Sequence, residues 1–177
     1  MIGMKTTCEH CGCEFDAVNR RGITPRFCSN ACRQKAYRAR KSKQPLAEFH
    51  GERRWVRANG KRPIMSCGSS ASSTDPATWS RFSGVQTGAG DGFGVMLGGG
   101  LGCYDLDHCI VDGALEDWAR QVLDGIPEPM VFMEVSMSGT GLHVFVRADE
   151  SPGTRRGNVE RYTRARFIRV TGKKFVR

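Results

Sequence analysis

The sequence contains no apolar run that approaches the roughly 18 residues needed to cross a membrane, and its N-terminus lacks the apolar segment of a secretory signal peptide. These absences argue against a membrane protein and predict a soluble protein in a reducing compartment. Disulfides are rare there, so the eight cysteines indicate metal binding or free thiols. With 177 residues, 39% of them hydrophobic, and 22 glycines, the chain can bury a core that is rich in turns.

The net charge of +9 is distributed unevenly along the chain. Residues 1–45 carry 10 basic and 3 acidic side chains, for a net charge of +7. Residues 46–154 carry 8 and 14, for a net charge of −6, whereas residues 155–177 carry 9 and 1, for a net charge of +8. Basic segments attract phosphate backbones, and an acidic centre attracts metal ions. This distribution favours a protein that uses nucleic acid and metal over a metabolic enzyme.

Two cysteine pairs predict a zinc-binding module near the N-terminus. The first pair is Cys8 and Cys11, and the second is Cys28 and Cys32. Ser29 is suited to cap a helix over residues 31–41, which places the second pair at a helix N-terminus. Four thiolates can close a tetrahedral zinc site, and the metal would supply folding energy that so short a segment lacks. Substitute ligands are Cys13 and His10, and four free cysteines in an unstructured tail are the alternative. The spacing favours these ligands: Cys8, Cys11, Cys28 and Cys32.

The predicted helix after the second cysteine pair is strongly basic, which suits contact with a phosphate backbone. Its Tyr37 could stack on a base or pack against the module. The composition changes after Pro45, and we expect three segments. These are a zinc-binding module at residues 1–44, a linker at 45–54 and a catalytic domain at 55–177.

An Asp-x-Asp sequence is the candidate centre of the larger domain. An apolar run and a three-glycine turn precede residues 102–109, and this pattern predicts a hairpin whose second strand carries both acids. Side chains two apart on a strand share a face, so Asp105 and Asp107 would point one way while Tyr104 and Leu106 enter the core. Adjacent carboxylates repel each other, and a divalent cation between them is the usual remedy. The alternative is a solvated polar face at a strand end.

Two further strand pairs are predicted toward the C-terminus. Residues 131–146 form two apolar runs joined by a glycine-bearing turn, of the kind that brings backbone N–H groups close to a phosphate. His143 follows this turn, although a lone strand histidine is more often structural. Residues 158–162 and 166–172 form the other predicted pair. Glu160 lies there among nine cationic side chains, so it is either ion-paired or a metal ligand.

Two short helices are also predicted in the larger domain. One covers residues 114–123, with an apolar face of Leu115, Trp118, Ala119 and Val122. The other begins at Pro76, capped by Asp75 or Thr74.

The motifs occur in an order that resembles the catalytic core of the archaeo-eukaryotic primase superfamily, in particular the primase-polymerases of phages and plasmids. The cysteine pattern resembles small treble-clef-like zinc fingers attached to nucleic-acid proteins. Together they imply an α+β, RRM-like primase-polymerase core preceded by a zinc-binding module. The segments that carry the resemblance to the core are, in chain order, 61–63, 71–79, 104–108, 138–143 and 159–160.

The resemblance implies a DNA primase/polymerase that makes primers on single-stranded DNA by metal-dependent nucleotidyl transfer, during phage or plasmid replication. Asp105, Asp107 and Glu160 would hold one or two Mg²⁺ or Mn²⁺ ions, while the cysteines hold structural zinc. Arg169 is a further candidate for phosphate contact. The residues implied to bind the nucleotide are Ser138, Gly139, Thr140, Gly141, His143 and Arg166.

The expected partners are a single-stranded DNA template and NTPs or dNTPs, in the cytoplasm of a phage-infected or plasmid-bearing bacterial cell. No Gly-x-x-x-x-Gly-Lys-Ser/Thr loop is present, so the replicative helicase fused to many relatives is expected to be separately encoded. Two other functions remain open. One is a zinc-dependent nucleic-acid-binding accessory protein without catalysis, and the other is a metal-dependent nuclease.

Overall fold

Two units divide the chain between residues 47 and 48 of the computed structural model, which describes residues 4–17, 24–42 and 44–176. The predicted linker at 45–54 straddles this division, and the predicted domain boundaries stay a prediction. Residues 1–3, 18–23 and 43 of the predicted module lie outside the described residues, as does Arg177. In the described part of the chain, no helix is long and apolar enough to cross a membrane.

The described residues of the N-terminal unit form a small antiparallel hairpin and an α-helix. Strands β1 (Met4–Thr7) and β2 (Glu14–Ala17) pair, and helix α1 spans Asn30–Ser42. The loop between the strands closes tightly, because the Cys8 amide donates to the Cys13 carbonyl at 2.8 Å. The Ser29 hydroxyl accepts from the Cys32 amide at 3.1 Å, as the predicted helix cap requires.

The larger unit contains a five-stranded and a four-stranded antiparallel sheet. The strand order is β11-β12-β6-β10-β9 in the first sheet and β13-β5-β3-β4 in the second. The second sheet is built from β3 (Trp55–Asn59), β4 (Arg62–Ile64), β5 (Gly92–Met96) and β13 (Phe167–Val170). The first is built from β6 (Leu101–Leu106), β9 (Met130–Val135), β10 (Leu142–Arg147), β11 (Thr154–Arg156) and β12 (Val159–Tyr162).

A minor hairpin and a helix follow β6 in the chain. Strands β7 (Ile110–Val111) and β8 (Ala114–Leu115) pair with each other, and helix α2 spans Asp117–Asp124. Short 3₁₀ helices occupy Ala47–Phe49, Pro76–Thr78 and Phe82–Val85. Asp75, rather than Thr74, caps the second of these, since its carboxylate accepts from the Ala77 amide at 3.0 Å.

One face of the five-stranded sheet packs against α2 to form an apolar core. Alternate residues of β10 supply Leu142, Val144 and Val146, all fully buried, and α2 supplies Ala119 and Leu123. The predicted apolar face over residues 114–123 is therefore confirmed, although its first two residues form β8. The side chains of the intervening residues of β10 leave on the opposite face, where the polar residues lie.

The four-stranded sheet carries an aromatic cluster. Trp55 is fully buried, its ring lies 4.7 Å from that of Phe82, and its indole N–H donates to the Phe49 carbonyl at 2.9 Å. Phe82 in turn stacks on His50 at 3.8 Å between ring centroids. Residues just before β3 are thus part of this core.

Two of the three predicted strand pairings are wrong. Strands β5 and β6 are joined by the turn Gly98 to Gly100, where the Gly98 amide and the Leu101 carbonyl bond at 3.1 Å, but the strands then enter different sheets. Similarly β12 pairs with β11 and β6, whereas β13 pairs with β5. A turn pattern indicates a chain reversal but not the partner that each strand finds through its packed faces. The third prediction, the β9–β10 hairpin, is confirmed, as is the α+β class.

Candidate active site

A row of polar side chains crosses the five-stranded sheet. Asp105 on the central strand β6 lies opposite His143 of β10 on one side and Glu160 of β12 on the other. The row continues outward to Glu134 on β9 and Arg155 on β11. Directly opposed residues in an antiparallel sheet project from the same face. The sheet therefore brings together three site residues that are far apart in the sequence.

Asp105 and Asp107 both line one cleft, and Leu106 between them is fully buried in the core. The Asp105 side chain is 22% exposed, and burial raises its pKa. The charge of His143 opposes this rise, while the negative charges of Asp107 and Glu160 add to it. Asp107 follows the end of β6, where its amide donates to the Asn158 carbonyl at 2.9 Å. These carboxylates therefore repel each other, and a cation bound between them would relieve the repulsion.

The His143 ring lies between two carboxylates. Its Nδ1 is 3.1 Å from Glu134 Oε1, and its Nε2 is 3.9 Å from Asp105 Oδ1. Glu134 is fully buried. The sequence analysis did not identify Glu134. A glutamate within an apolar strand needs a hydrogen-bonding partner when it is buried, so its position in the apolar run could have indicated a site residue.

Glu160 is enclosed by a phenol and two guanidinium groups. The Tyr162 hydroxyl donates to its Oε2 at 2.8 Å, and Arg166 Nη2 lies 3.7 Å from the same oxygen. Arg155 Nη1 lies 3.3 Å from Oε1. Glu160 is therefore ion-paired in this structure, and its role as a metal ligand stays a prediction. The arginines also place positive charge beside the carboxylates, where a phosphate group can bind.

A cleft of about 520 Å³ lies in front of the carboxylates and is lined by residues from both sheets. Lys61 and Pro63 line it from the β3–β4 hairpin, and Phe167 and Ile168 line it from β13. Of the residues implied to act in the site, those lining the cleft are Asp105, Asp107, Ser138, His143, Arg166 and Arg169. Glu160 lies one strand along the row from Asp105.

The turn between β9 and β10 carries three linked hydroxyl groups. Ser136 and Ser138 lie 3.0 Å apart at their hydroxyls, and Ser138 and Thr140 lie 3.1 Å apart. Gly139 has a positive φ of 83°. A Cβ on Gly141 would come within 2.8 Å of the Leu106 carbonyl, so only glycine allows the turn to lie this close to the end of β6. The turn is thereby held beside the cleft.

Arg169, a further candidate for phosphate contact, has other partners. Its Nη1 donates to Asp91 Oδ1 at 2.7 Å and to the Gly60 carbonyl at 2.6 Å. The side chain thus ties β13 to the turn that follows β3. Arg166, in contrast, is 48% exposed and lies over the Tyr162 ring at 4.4 Å.

The cysteines of the N-terminal unit form a cluster suited to one zinc ion. The Sγ atoms of the four predicted ligands, Cys8, Cys11, Cys28 and Cys32, all lie within 4.8 Å of one another. Hydrogen bonds from backbone N–H groups, first that of Cys28, lower the pKa of Cys8 to about 6, whereas the pKa values of Cys28 and Cys32 are raised to about 11. The metal-free cluster thus favours the thiolate at Cys8 and the thiol at Cys28 and Cys32. Cys13 lies outside the set of four, with its sulfur 3.1 Å from that of Cys11.

The carboxylates fit a divalent cation less completely. Within the described residues, the cysteine cluster is the one set of three or more His, Cys, Asp or Glu groups whose ligand atoms lie this close together. Asp105 and Asp107 supply the hard oxygen ligands that Mg²⁺ and Mn²⁺ prefer, and their repulsion favours a cation. The Glu160 carboxylate is bound by its arginine and tyrosine partners. It is therefore not arranged with the two aspartates as ligands of one ion.

Comparison with known proteins identifies the class of protein to which this site belongs. The chain matches the family described as "Bifunctional DNA primase/polymerase, N-terminal" over residues 29–176, and it belongs to this family. It is also similar to a DNA primase-polymerase of Nitratiruptor phage NrS-1, with 31% identity over 123 residues, which cover 61% of this chain and 17% of that protein. The chain therefore spans a small part of that relative's length. The family resemblance inferred from the motifs is confirmed.

Proposed function

We propose that this protein is a DNA primase/polymerase that synthesises primers on single-stranded DNA by metal-dependent nucleotidyl transfer, during phage or plasmid replication. The observation that carries the proposal is the row of Asp105, His143 and Glu160 on three adjacent strands, next to a cleft that also contains Asp107. Family membership supports the same reaction class.

Asp105 and Asp107 are proposed to hold Mg²⁺ or Mn²⁺, with Glu160 as a further ligand once it leaves its arginine partners. A bound ion would supply activation of the primer 3′-hydroxyl and neutralise charge on the leaving pyrophosphate. The cleft volume of about 520 Å³ lies in the range of small-molecule sites and suits a nucleotide.

The triphosphate is proposed to bind between the glycine-bearing turn and the basic end of the cleft. Backbone N–H groups and hydroxyls of residues 138–141 would contact phosphate oxygens, and His143 would donate from its ring. Arg166 would contribute a guanidinium that can bind two oxygens at once. Lys61 lines the same cleft and adds a cation from the second sheet.

The N-terminal unit is proposed to hold structural zinc through its cysteine cluster and to bind the template or the initiating nucleotide. Its sequence is strongly basic, and Tyr37 of α1 is 54% exposed, so its ring is free to stack on a base. Further proposed partners are NTPs or dNTPs and a separately encoded replicative helicase, in the cytoplasm of the bacterial host.

Incubation with a single-stranded template, NTPs or dNTPs, and Mg²⁺ or Mn²⁺ tests the reaction class directly. New oligonucleotides are expected. A shortened template would instead identify a metal-dependent nuclease, which the same carboxylates and histidine would suit. Binding of the template without either product would identify an accessory protein. Both results would overturn the proposal.

A further inference from the structure

The Glu134 carboxylate is fully buried and is held by protein groups on every side. Its Oε1 lies 3.1 Å from His143 Nδ1 and 3.0 Å from the Thr171 amide. Its Oε2 accepts from the Gly172 amide at 2.8 Å and from the Thr171 amide at 3.1 Å. A buried carboxylate costs several kcal/mol unless such partners compensate it, and an apolar side chain would avoid that cost. The charge at position 134 therefore has a role other than packing.

The anchoring of Glu134 joins the two sheets at the edge of the cleft. Thr171 and Gly172 directly follow β13 of the second sheet, whereas Glu134 lies on β9 of the first. The Thr171 hydroxyl also donates to the Val135 carbonyl at 2.7 Å, and the Val135 amide donates to the Lys173 carbonyl at 2.9 Å. Contacts from both sheets thus prevent the carboxylate from rotating away from His143. These contacts also explain the position of Thr171 and Gly172, which no proposed catalytic step uses.

We propose that Glu134 is a positioning residue, which binds the Nδ1 proton of His143 and fixes the ring so that Nε2 faces the cleft and the nucleotide phosphates. This inference rests on the function proposed above. A neutral imidazole carries its proton on one nitrogen only, and a carboxylate at Nδ1 determines which nitrogen that is. Nε2 lies 3.9 Å from Asp105, beyond hydrogen-bond distance, so it remains available to a ligand. With Nδ1 bound to Glu134, Nε2 is the ring nitrogen that a phosphate group in the cleft would contact.

The first test compares Glu134→Gln with a matched control, Glu128→Gln, in primer extension. Glutamine keeps the size of the side chain, but its NH₂ group cannot accept from the ring and the two amides together. We expect the nucleotide KM to rise about 10- to 100-fold, the range known for losing the carboxylate partner of a metal-ligating histidine, with a smaller change in kcat. Glu128 also has half-buried partners, Arg161 and Tyr104, but does not line the cleft, so its variant should keep the wild-type KM. Equal KM values for wild type and Glu134→Gln would overturn the proposal.

A double-mutant cycle separates positioning from a general structural role. If Glu134 acts through His143, then adding Glu134→Gln to His143→Ala should change the KM by no more than about twofold. A residue that only stabilises the fold would lower activity equally in both backgrounds, and that result would contradict the proposal.

The imidazole ¹⁵N–¹H spectrum tests the same contact without catalysis. The wild-type protein should show a protonated, hydrogen-bonded Nδ1 on His143, assigned by its loss in His143→Ala. An unprotonated Nδ1 would overturn the inference even if the Glu134 variant failed to fold. Absence of primer synthesis by the wild-type protein would instead overturn the proposed function and leave this spectrum as the deciding measurement.

Discussion

Asp105 lies where both burial and the neighbouring carboxylates disfavour its ionised form. Burial raises its pKa, and Asp107 and Glu160 raise it further. Because the folded-state pKa lies above the unfolded value, the folded protein binds the proton more tightly than the unfolded chain does. Ionised Asp105 therefore destabilises the fold at neutral pH, and this penalty disappears as the pH falls through the raised pKa.

We predict that Asp105→Asn raises the melting temperature of the metal-free protein at pH 7, by an amount on the order of 2 °C. The difference should shrink as the pH falls through the raised pKa toward the unfolded aspartate value of about 3.9, and it should vanish below that value, where the carboxyl is neutral in both states. Differential scanning calorimetry across that range would measure it. Asp112, on the exposed β7–β8 turn, is the control, and its Asn variant should melt like the wild type. A lower melting temperature for Asp105→Asn at pH 7 would refute the argument.

The same substitution should remove the activity. Either Asp105→Asn or Asp107→Asn is expected to lower nucleotide transfer by at least about 100-fold, because each removes a charge that holds the metal and the metal stabilises charge developing in the transition state. Asp112→Asn should retain full synthesis. Near wild-type activity in either cleft variant, measured as primer extension with Mn²⁺, would eliminate the metal assignment.

At the scale of single elements, the hairpin β1–β2 and helix α1 depend on a ligand more than on burial. Cys8 is fully buried, but α1 has an exposed or half-buried side chain at every position described from Asn30 to Tyr37. So small a unit buries too little apolar surface to be stable alone. A zinc ion that joins the loop after β1 to the first turn of α1 would supply the missing free energy.

We predict about one zinc per chain in the purified protein, as a tetrahedral cysteine site requires. Cys32→Ser should lose most of the zinc and unfold α1, because Cys32 lies in the first turn of that helix. Cys67→Ser, which alters an exposed thiol outside the cluster, should retain it. Metal analysis together with circular dichroism makes the comparison. Zinc-free wild-type protein with an ordered α1 would contradict this assignment.

At the scale of the whole molecule, most of the net positive charge and the cleft carboxylates lie in different units. The cleft carboxylates belong to the larger unit, whereas residues 1–45 carry a net charge of +7. Deletion of residues 1–47 leaves Phe49 and His50 in place under Trp55 and Phe82, so the aromatic core remains complete. A deletion that extended to residue 51 would remove both contacts.

We expect the protein that lacks residues 1–47 to extend an annealed primer but to initiate poorly on bare single-stranded template. Base pairing already positions the 3′-hydroxyl in extension, whereas initiation has to hold free nucleotides on a strand. The advantage of the full chain should decrease as salt rises, because backbone contacts release counterions. Both activities measured across a salt series would test this, with the full chain as the reference. An equal fall in both would mean that the basic unit is a general stabiliser or a docking site, and no fall in either would exclude it from synthesis.

Local patterns in the sequence were enough to predict the parts of this protein that depend on interactions between residues close together in the chain. Short spacings place two cysteines or two carboxylates together within one segment, and a serine before a helix caps it whatever lies elsewhere. The cysteine cluster, the Ser29 and Asp75 caps, the β9–β10 hairpin and the apolar face of α2 follow from such patterns. The motif order indicated the family for the same reason, since each motif is short and continuous.

The tertiary structure alone decided which strands pair and which charges meet. The turn at Gly98 to Gly100 sends β5 and β6 into different sheets, where β5 pairs with β3 and β13, and β6 pairs with β10 and β12. Only that arrangement sets Asp105 between His143 and Glu160, and only the return of the chain after β13 brings two amides to Glu134. A buried carboxylate is stable where hydrogen-bond donors from distant segments surround it. No local sequence pattern indicates that these donors come together.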